Sequence, residues 1–246
     1  MGTSQVAAGL GVLTPLTDDV GTRVLVITVL TAVAVTSIVA GLDKGVKRLS
    51  NLNILMAVGL MLFVLLTGGE TVFLLRQIIE STGRYLENVI GLSLWNDAMA
   101  EYTKAGGWGW QGGWTVFYWA WTVTWAPFMG VFLARISKGR TIRQFVVGVL
   151  LAPSAFTVVW FSVFGWSAMR IDGIGGDGGE LTREVVIDEQ VPLAMFEFFS
   201  NYPAVTLVQG IAVVVVALFF ATSSDSASLV VDMLCAGDAE PGPVRQ

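Results

Sequence analysis

The stretch WTVFYWAWTVTWAPFMGVF, residues 114–132, carries eight aromatic residues, one proline and no charge. A simple membrane anchor needs only aliphatic side chains, so this density of rings asks what the rings face. Trp114, Tyr118, Trp121, Trp125, Phe128 and Phe132 are spaced 4, 3, 4, 3 and 4 apart. On a helix that spacing makes one continuous stripe. Pro127 lies within it and lacks an N–H, so the carbonyl of Val123 loses its usual intrahelical donor. Two readings stay open at this point. The rings form an aromatic belt with ordinary helix packing, or they line a path for a cation held by the negative faces of tryptophan and tyrosine.

The flanking sequence sets the environment of the stripe. The chain of 246 residues is 54% hydrophobic and 13% charged, with a mean hydropathy of +0.70. Those values describe an integral membrane protein better than a soluble one. Charge is absent from 24–42, 49–69, 105–134, 144–169 and 198–224. Each stretch is about 19 residues or longer, enough for a helix to cross the hydrocarbon core. Lipid offers the backbone no hydrogen-bond partners, so such spans are helices. The expectation is an all-α integral membrane protein with spans at 22–42, 49–69, 113–135, 144–169 and 204–228.

Loop charges orient these spans. Lys44, Lys47 and Arg48 crowd one short loop, and Arg135, Lys138, Arg140 and Arg143 crowd another. Both are expected on the cytoplasmic side. The loop 170–197 holds seven acidic residues, among them Asp172, Asp177, Glu184 and Glu189, and is expected outside. Between the second and third spans, Arg76, Glu80, Arg84 and Glu87 share one helical face. Residues 71–95 are therefore expected as an amphipathic helix in the outer interface. The loop AGGWGWQGGW (105–114) reads as flexible, with interfacial tryptophans.

Several chemistries are disfavoured. There is no histidine and a single cysteine, Cys235. Histidine proton relays, histidine metal ligands and internal disulfides are thereby excluded. No nucleophile–base pair, metal cluster or phosphate loop is visible, so the expectation is a protein that is not an enzyme. A net charge of −5 argues against nucleic acid as a partner.

With those residues in view, WTVFYWAWTVTWAPFMGVFLARISKGRTIRQFVVGVLLAPS (114–154) closely resembles the signature of the betaine/choline/carnitine transporter family. GLDKGVKRLSNLN (41–53) is similar to the loop after that family's sixth helix, VVWFSVFGWSA (158–168) to its ninth helix and FFATSSDSAS (219–228) to its tenth. The resemblance is collinear and covers nearly the whole chain. It implies an inverted-repeat fold of the amino-acid/sodium symporter type, in the cell membrane, and a homotrimer. It also implies a partial chain. Residues 1–18 would be the remnant of the fifth family helix, with Thr3, Gly9 and Gly11 in it. The first four helices, most of the fifth and the last two would lie outside the chain.

The resemblance carries site residues with it. The family pattern W-A-W-W-x-x-W-x-P-F is met here by Trp119, Trp121, Trp125 and Phe128, but Thr122 stands where the second tryptophan of the pair is usual. Trp119, Trp121, Thr122, Trp125, Phe128 and Phe132 are the expected substrate-binding set. A threonine removes a ring face and adds a hydroxyl. That hydroxyl either serves a quaternary-ammonium or zwitterionic solute other than glycine betaine, or back-bonds to a helix carbonyl. The resemblance further implies sodium as the coupling ion, held by the Phe219 carbonyl and the Thr222 and Ser223 hydroxyls. Hard cations of this kind take oxygen ligands.

The functional expectation is a secondary transporter of a compatible solute of glycine betaine, choline or carnitine type. The other expectation, from a different class, is a truncated, non-transporting membrane fragment or scaffold. The basic residues at 135–143 set orientation; contact with anionic membrane lipids is the second role open to them.

Overall fold

The computed structural model describes residues 2–17, 19–39, 47–96, 110–173, 179–183, 188 and 190–236. Parts of several expectations lie outside these residues: the end of the first span (40–42), Lys44, positions 105–109 of the glycine–tryptophan loop, and Asp177, Glu184 and Glu189. Among the described residues all regular structure is helical. In order these are α1 (Gly2–Leu13), α2 (Val20–Val39), α3 (Lys47–Thr67), α4 (Thr71–Leu94), a π-helical turn (Gln111–Val116), α5 (Phe117–Ile136), α6 (Ile142–Asp172), the single turn α7 (Glu180–Thr182), α8 (Ala194–Ser200) and α9 (Val205–Ala236). Among the described residues, five helical stretches are long and apolar enough to cross a membrane: Val20–Ser37, Lys47–Thr67, Gln111–Ala134, Ile142–Asp172 and Val205–Ser228.

Local chemistry explains where helices start and stop. Asp19 caps α2: its Oδ1 accepts the Thr22 N–H at 2.7 Å and its carbonyl accepts the Arg23 N–H at 3.0 Å. The same Thr22 N–H, then the Thr22 side chain, hold the Asp19 carboxyl below the usual carboxylate value. At the start of α6, Thr141 and Gln144 exchange reciprocal bonds of 3.1 and 3.3 Å, a capping box that the sequence T-x-x-Q encodes. The turn after α5 needs Gly139, whose φ of +85° is costly for any residue with a Cβ.

The chain divides into two compact units, residues 1–78 with 155–246, and 79–154. In the first, α9 is the central element, and α1, α2 and α3 each pack on it. One apolar cluster joins Val6, Val26, Leu30, Phe196 and Val213. The crossing of α1 over α9 is close because Gly9 has no side chain. A Cβ there would lie 2.3 Å from the Phe196 ring and 2.4 Å from Val213. A second cluster joins Ala57, Leu60 and Val64 of α3 to Val163 of α6, to Phe198, Phe199 and Tyr202, and to Val208 and Ala212 of α9. Buried Gln209 donates to the Phe196 carbonyl at 2.9 Å, which fixes α8 to α9 without leaving an amide unpaired.

The second unit contains the π-helical turn and α5. The turn contains Gly112 and Gly113 in QGGWTV.

Candidate functional site

The rings of the opening stretch form a ladder along α5. Trp110 stacks on Trp114 with centroids 5.4 Å apart, and Trp114 on Tyr118 at 6.0 Å with planes within 13°. Tyr118 meets Trp121 at 5.8 Å, and Trp125 meets Phe128 edge to face at 5.4 Å. These are favourable aromatic geometries. Most of this surface is open: Trp121 is 48% and Trp125 42% exposed, while Phe128 and Phe132 are half-buried. The ladder thus offers adjacent ring faces on one side of a single helix.

Trp119 differs from the others. At the helical step it lies roughly 140° around from Trp114, away from the stripe, and it is 68% exposed. Trp110 belongs to the stretch expected as a flexible loop, but residues 110–114 are helical, and its four-residue spacing to Trp114 continues the same pattern. Its place next to a glycine-rich segment hid that signal.

Thr122 has a definite hydrogen bond. Its Oγ1 donates to the Tyr118 carbonyl at 2.8 Å, and Thr124 does the same to Ala120 at 2.8 Å. Both are bonds back along the helix. The Thr122 proton is therefore committed to the helix, and its remaining capacity is that of an acceptor. α5 continues through Pro127.

The second residue set lies on α9, in the other compact unit. Thr222 Oγ1 donates to the carbonyls of Leu218 and Phe219, at 2.9 and 3.1 Å. Two of the three oxygens expected to hold a cation, Phe219 O and Thr222 Oγ1, are thus adjacent. Thr222 is half-buried, whereas Ser223 is exposed. The N-terminal end of α1 runs beside this segment, since a Cβ on Gly2 would come within 2.7 Å of the Phe220 ring. No group of three or more acidic, histidine or cysteine side chains suited to a metal occurs among the described residues.

The chain is 44% identical over 243 residues to the ectoine/glycine betaine/proline transporter of Corynebacterium glutamicum, covering 99% of this chain and 38% of that protein. It is 42% identical over 246 residues to glycine betaine transporter 1 of Vibrio parahaemolyticus, covering all of this chain and 45% of the relative. A glycine betaine transporter of Acinetobacter baylyi is 41% identical over 246 residues, of which the match covers 36%. The chain therefore spans less than half the length of these relatives. The model of the betaine/carnitine/choline family transporters matches residues 1–246. A match that runs from the first residue to the last leaves no segment outside it, and we conclude that this chain belongs to the betaine/carnitine/choline family of multi-pass membrane transporters.

Proposed function

We propose that this chain is part of a secondary active transporter that moves a quaternary-ammonium or zwitterionic compatible solute by alternating access. The single observation that carries this reading is the stacked ladder from Trp110 to Trp121, continued by Trp125 and Phe128 on the same helix. A quaternary ammonium has no N–H to donate and cannot lose its charge. Ring faces hold it through their quadrupoles, at about 0.5–2 kcal/mol per contact depending on desolvation. Relatives that carry glycine betaine, proline and ectoine support this class of solute. In this reading Trp121, Trp125, Phe128 and Phe132 form the pathway wall. Trp119 lies outside the wall. Thr122 is an acceptor at its edge.

The same proposal assigns an inverted-repeat architecture, with α1 as the end of the family's fifth helix and α4 in the outer interface. A homotrimer in the cell membrane completes it. Sodium is the proposed coupling ion. The Thr222 proton points to helix carbonyls, so the lone pairs of its Oγ1 suit a hard cation, and the Phe219 carbonyl joins them by releasing the Thr222 proton to Leu218 alone. Ser223 would complete the set from this helix.

Uptake of labelled glycine betaine, choline, carnitine and ectoine, in sodium and in potassium buffer, tests both parts. Trp125→Ala is expected to raise KM by about 2- to 30-fold, the loss of one ring contact. Unchanged uptake and affinity would overturn the pathway assignment. Thr222→Val is expected to raise the sodium concentration needed for half-maximal uptake. Equal uptake in potassium buffer overturns the sodium assignment alone.

A further inference from the structure

A groove of about 600 Å³ lies between α2 and α3. Aliphatic side chains, chiefly Val29, Val33, Leu49 and Leu52, form its length, and Arg48 and Ser37 line it too. Three features point to an occupant with an apolar tail and an anionic head. First, Lys47 and Arg48 are exposed in the first turn of α3. Cations at that end oppose the positive pole of the helix, an arrangement that an anion would relieve. Second, Arg48 has no ion-pair partner among the described residues. Third, Ser37 is only 8% exposed, yet its buried Oγ has no hydrogen-bond partner among the described residues. A buried polar atom in that state calls for an explanation.

We propose that this groove binds one anionic phospholipid. An acyl chain lies along Val29, Val33 and Leu52, and the phosphate accepts from the Arg48 guanidinium; Ser37, whose Oγ is closed off beneath the groove wall, turns its hydroxyl outward to donate to an ester or glycerol oxygen. The basic loop between the two helices is assigned by its charge to the cytoplasmic side, where anionic lipids gather. An arginine beside an apolar cleft matches both ends of such a molecule. A neutral lipid leaves Arg48 unpaired, and a soluble anion leaves the aliphatic wall uncovered.

The test is lipid retention. The purified protein is placed in phosphatidylcholine nanodiscs with increasing phosphatidylglycerol, extracted in mild neutral detergent, and the retained lipids are counted by native mass spectrometry. The wild type is expected to retain phosphatidylglycerol over phosphatidylcholine. Arg48→Gln should lower that preference about tenfold, the loss of one charge-assisted hydrogen bond. Val33→Trp, which fills the cleft without changing charge, should lower total retention. Arg140→Gln removes the same charge from the other basic loop and should change neither. Circular dichroism checks that each variant folds. Equal effects of Arg48→Gln and Arg140→Gln would mean diffuse attraction and overturn the site. So would a wild type with no preference, or retention unaltered by Val33→Trp, which would mean that protein rather than lipid covers the groove.

Discussion

Arg170 in the last turn of α6 is ion-paired with Glu70, a hundred positions earlier and just before α4. Its guanidinium also lies 5.1 Å from the centre of the Phe73 ring. Phe73 in turn meets Trp166 edge to face at 6.0 Å. A cation, a carboxylate and two rings thus clasp the start of α4 to the end of α6. Both charged partners are over a third exposed, so solvent weakens the pair. Arg170→Gln is expected to cost about 1 kcal/mol, ion pair and ring contact together. A double-mutant cycle with Glu70→Gln should give a coupling energy that shrinks with added salt. Coupling indifferent to salt would contradict this account.

Close approach, and not flexibility, explains Gly9. The Phe196 ring that a Cβ would meet is itself only 2% exposed and cannot swing aside. Gly9→Ala should destabilise the protein by about 1–3 kcal/mol through overpacking. Thermal unfolding in detergent measures it. Gly59, with nothing near its would-be Cβ, supplies the control, and Gly59→Ala should not destabilise.

The position of Trp119 separates resemblance from geometry. By motif it ranks with Trp121; by helical phase it faces elsewhere. Trp121→Ala should therefore raise KM for an onium substrate by several-fold, on the order of one cation–π contact. Trp119→Ala should leave KM within about twofold. Equal KM effects at the two positions would show that both rings face the solute.

The proton of Thr122 already serves the Tyr118 carbonyl. Thr122→Val keeps the shape and removes only that bond and an acceptor. For glycine betaine, which has no donor, KM is expected to stay within about twofold. Thr122→Trp adds a ring face and should lower it. A large loss with valine would show that the hydroxyl contacts the solute.

The Asp19 cap sets a pH dependence. Its folded-state pKa lies below the ordinary 3.8 because the Thr22 N–H, then the Thr22 side chain, favour the carboxylate. The stabilisation is complete above that ordinary value and fades as pH falls through the lower folded one. Asp19→Asn retains a cap without the titration. The melting temperature of the wild type should exceed that of Asp19→Asn by a constant margin near about pH 7, and the margin should shrink toward about pH 3 as the wild-type carboxylate is protonated. Parallel curves would show that Asp19 contributes no pH dependence.

The all-helical character and the five apolar stretches were legible in the sequence. Hydrocarbon demands runs of uncharged residues and self-satisfied backbone, and both leave a mark in one dimension. The 4-3-4-3-4 spacing likewise put the rings on one face, because helical phase is a local property. Other matters depended on atoms far apart in the chain. Gly9 matters because Phe196 and Val213 lie against it, and Arg170 because Glu70 and Phe73 come within its reach. Thr122 shows the boundary between the two. The sequence allowed its hydroxyl either to serve a solute or to bond the helix, and the atomic arrangement commits the proton to Tyr118. Periodicity is written residue by residue, whereas contact and hydrogen-bond choice are decided only when the chain has folded back on itself and each polar atom has found its nearest partner.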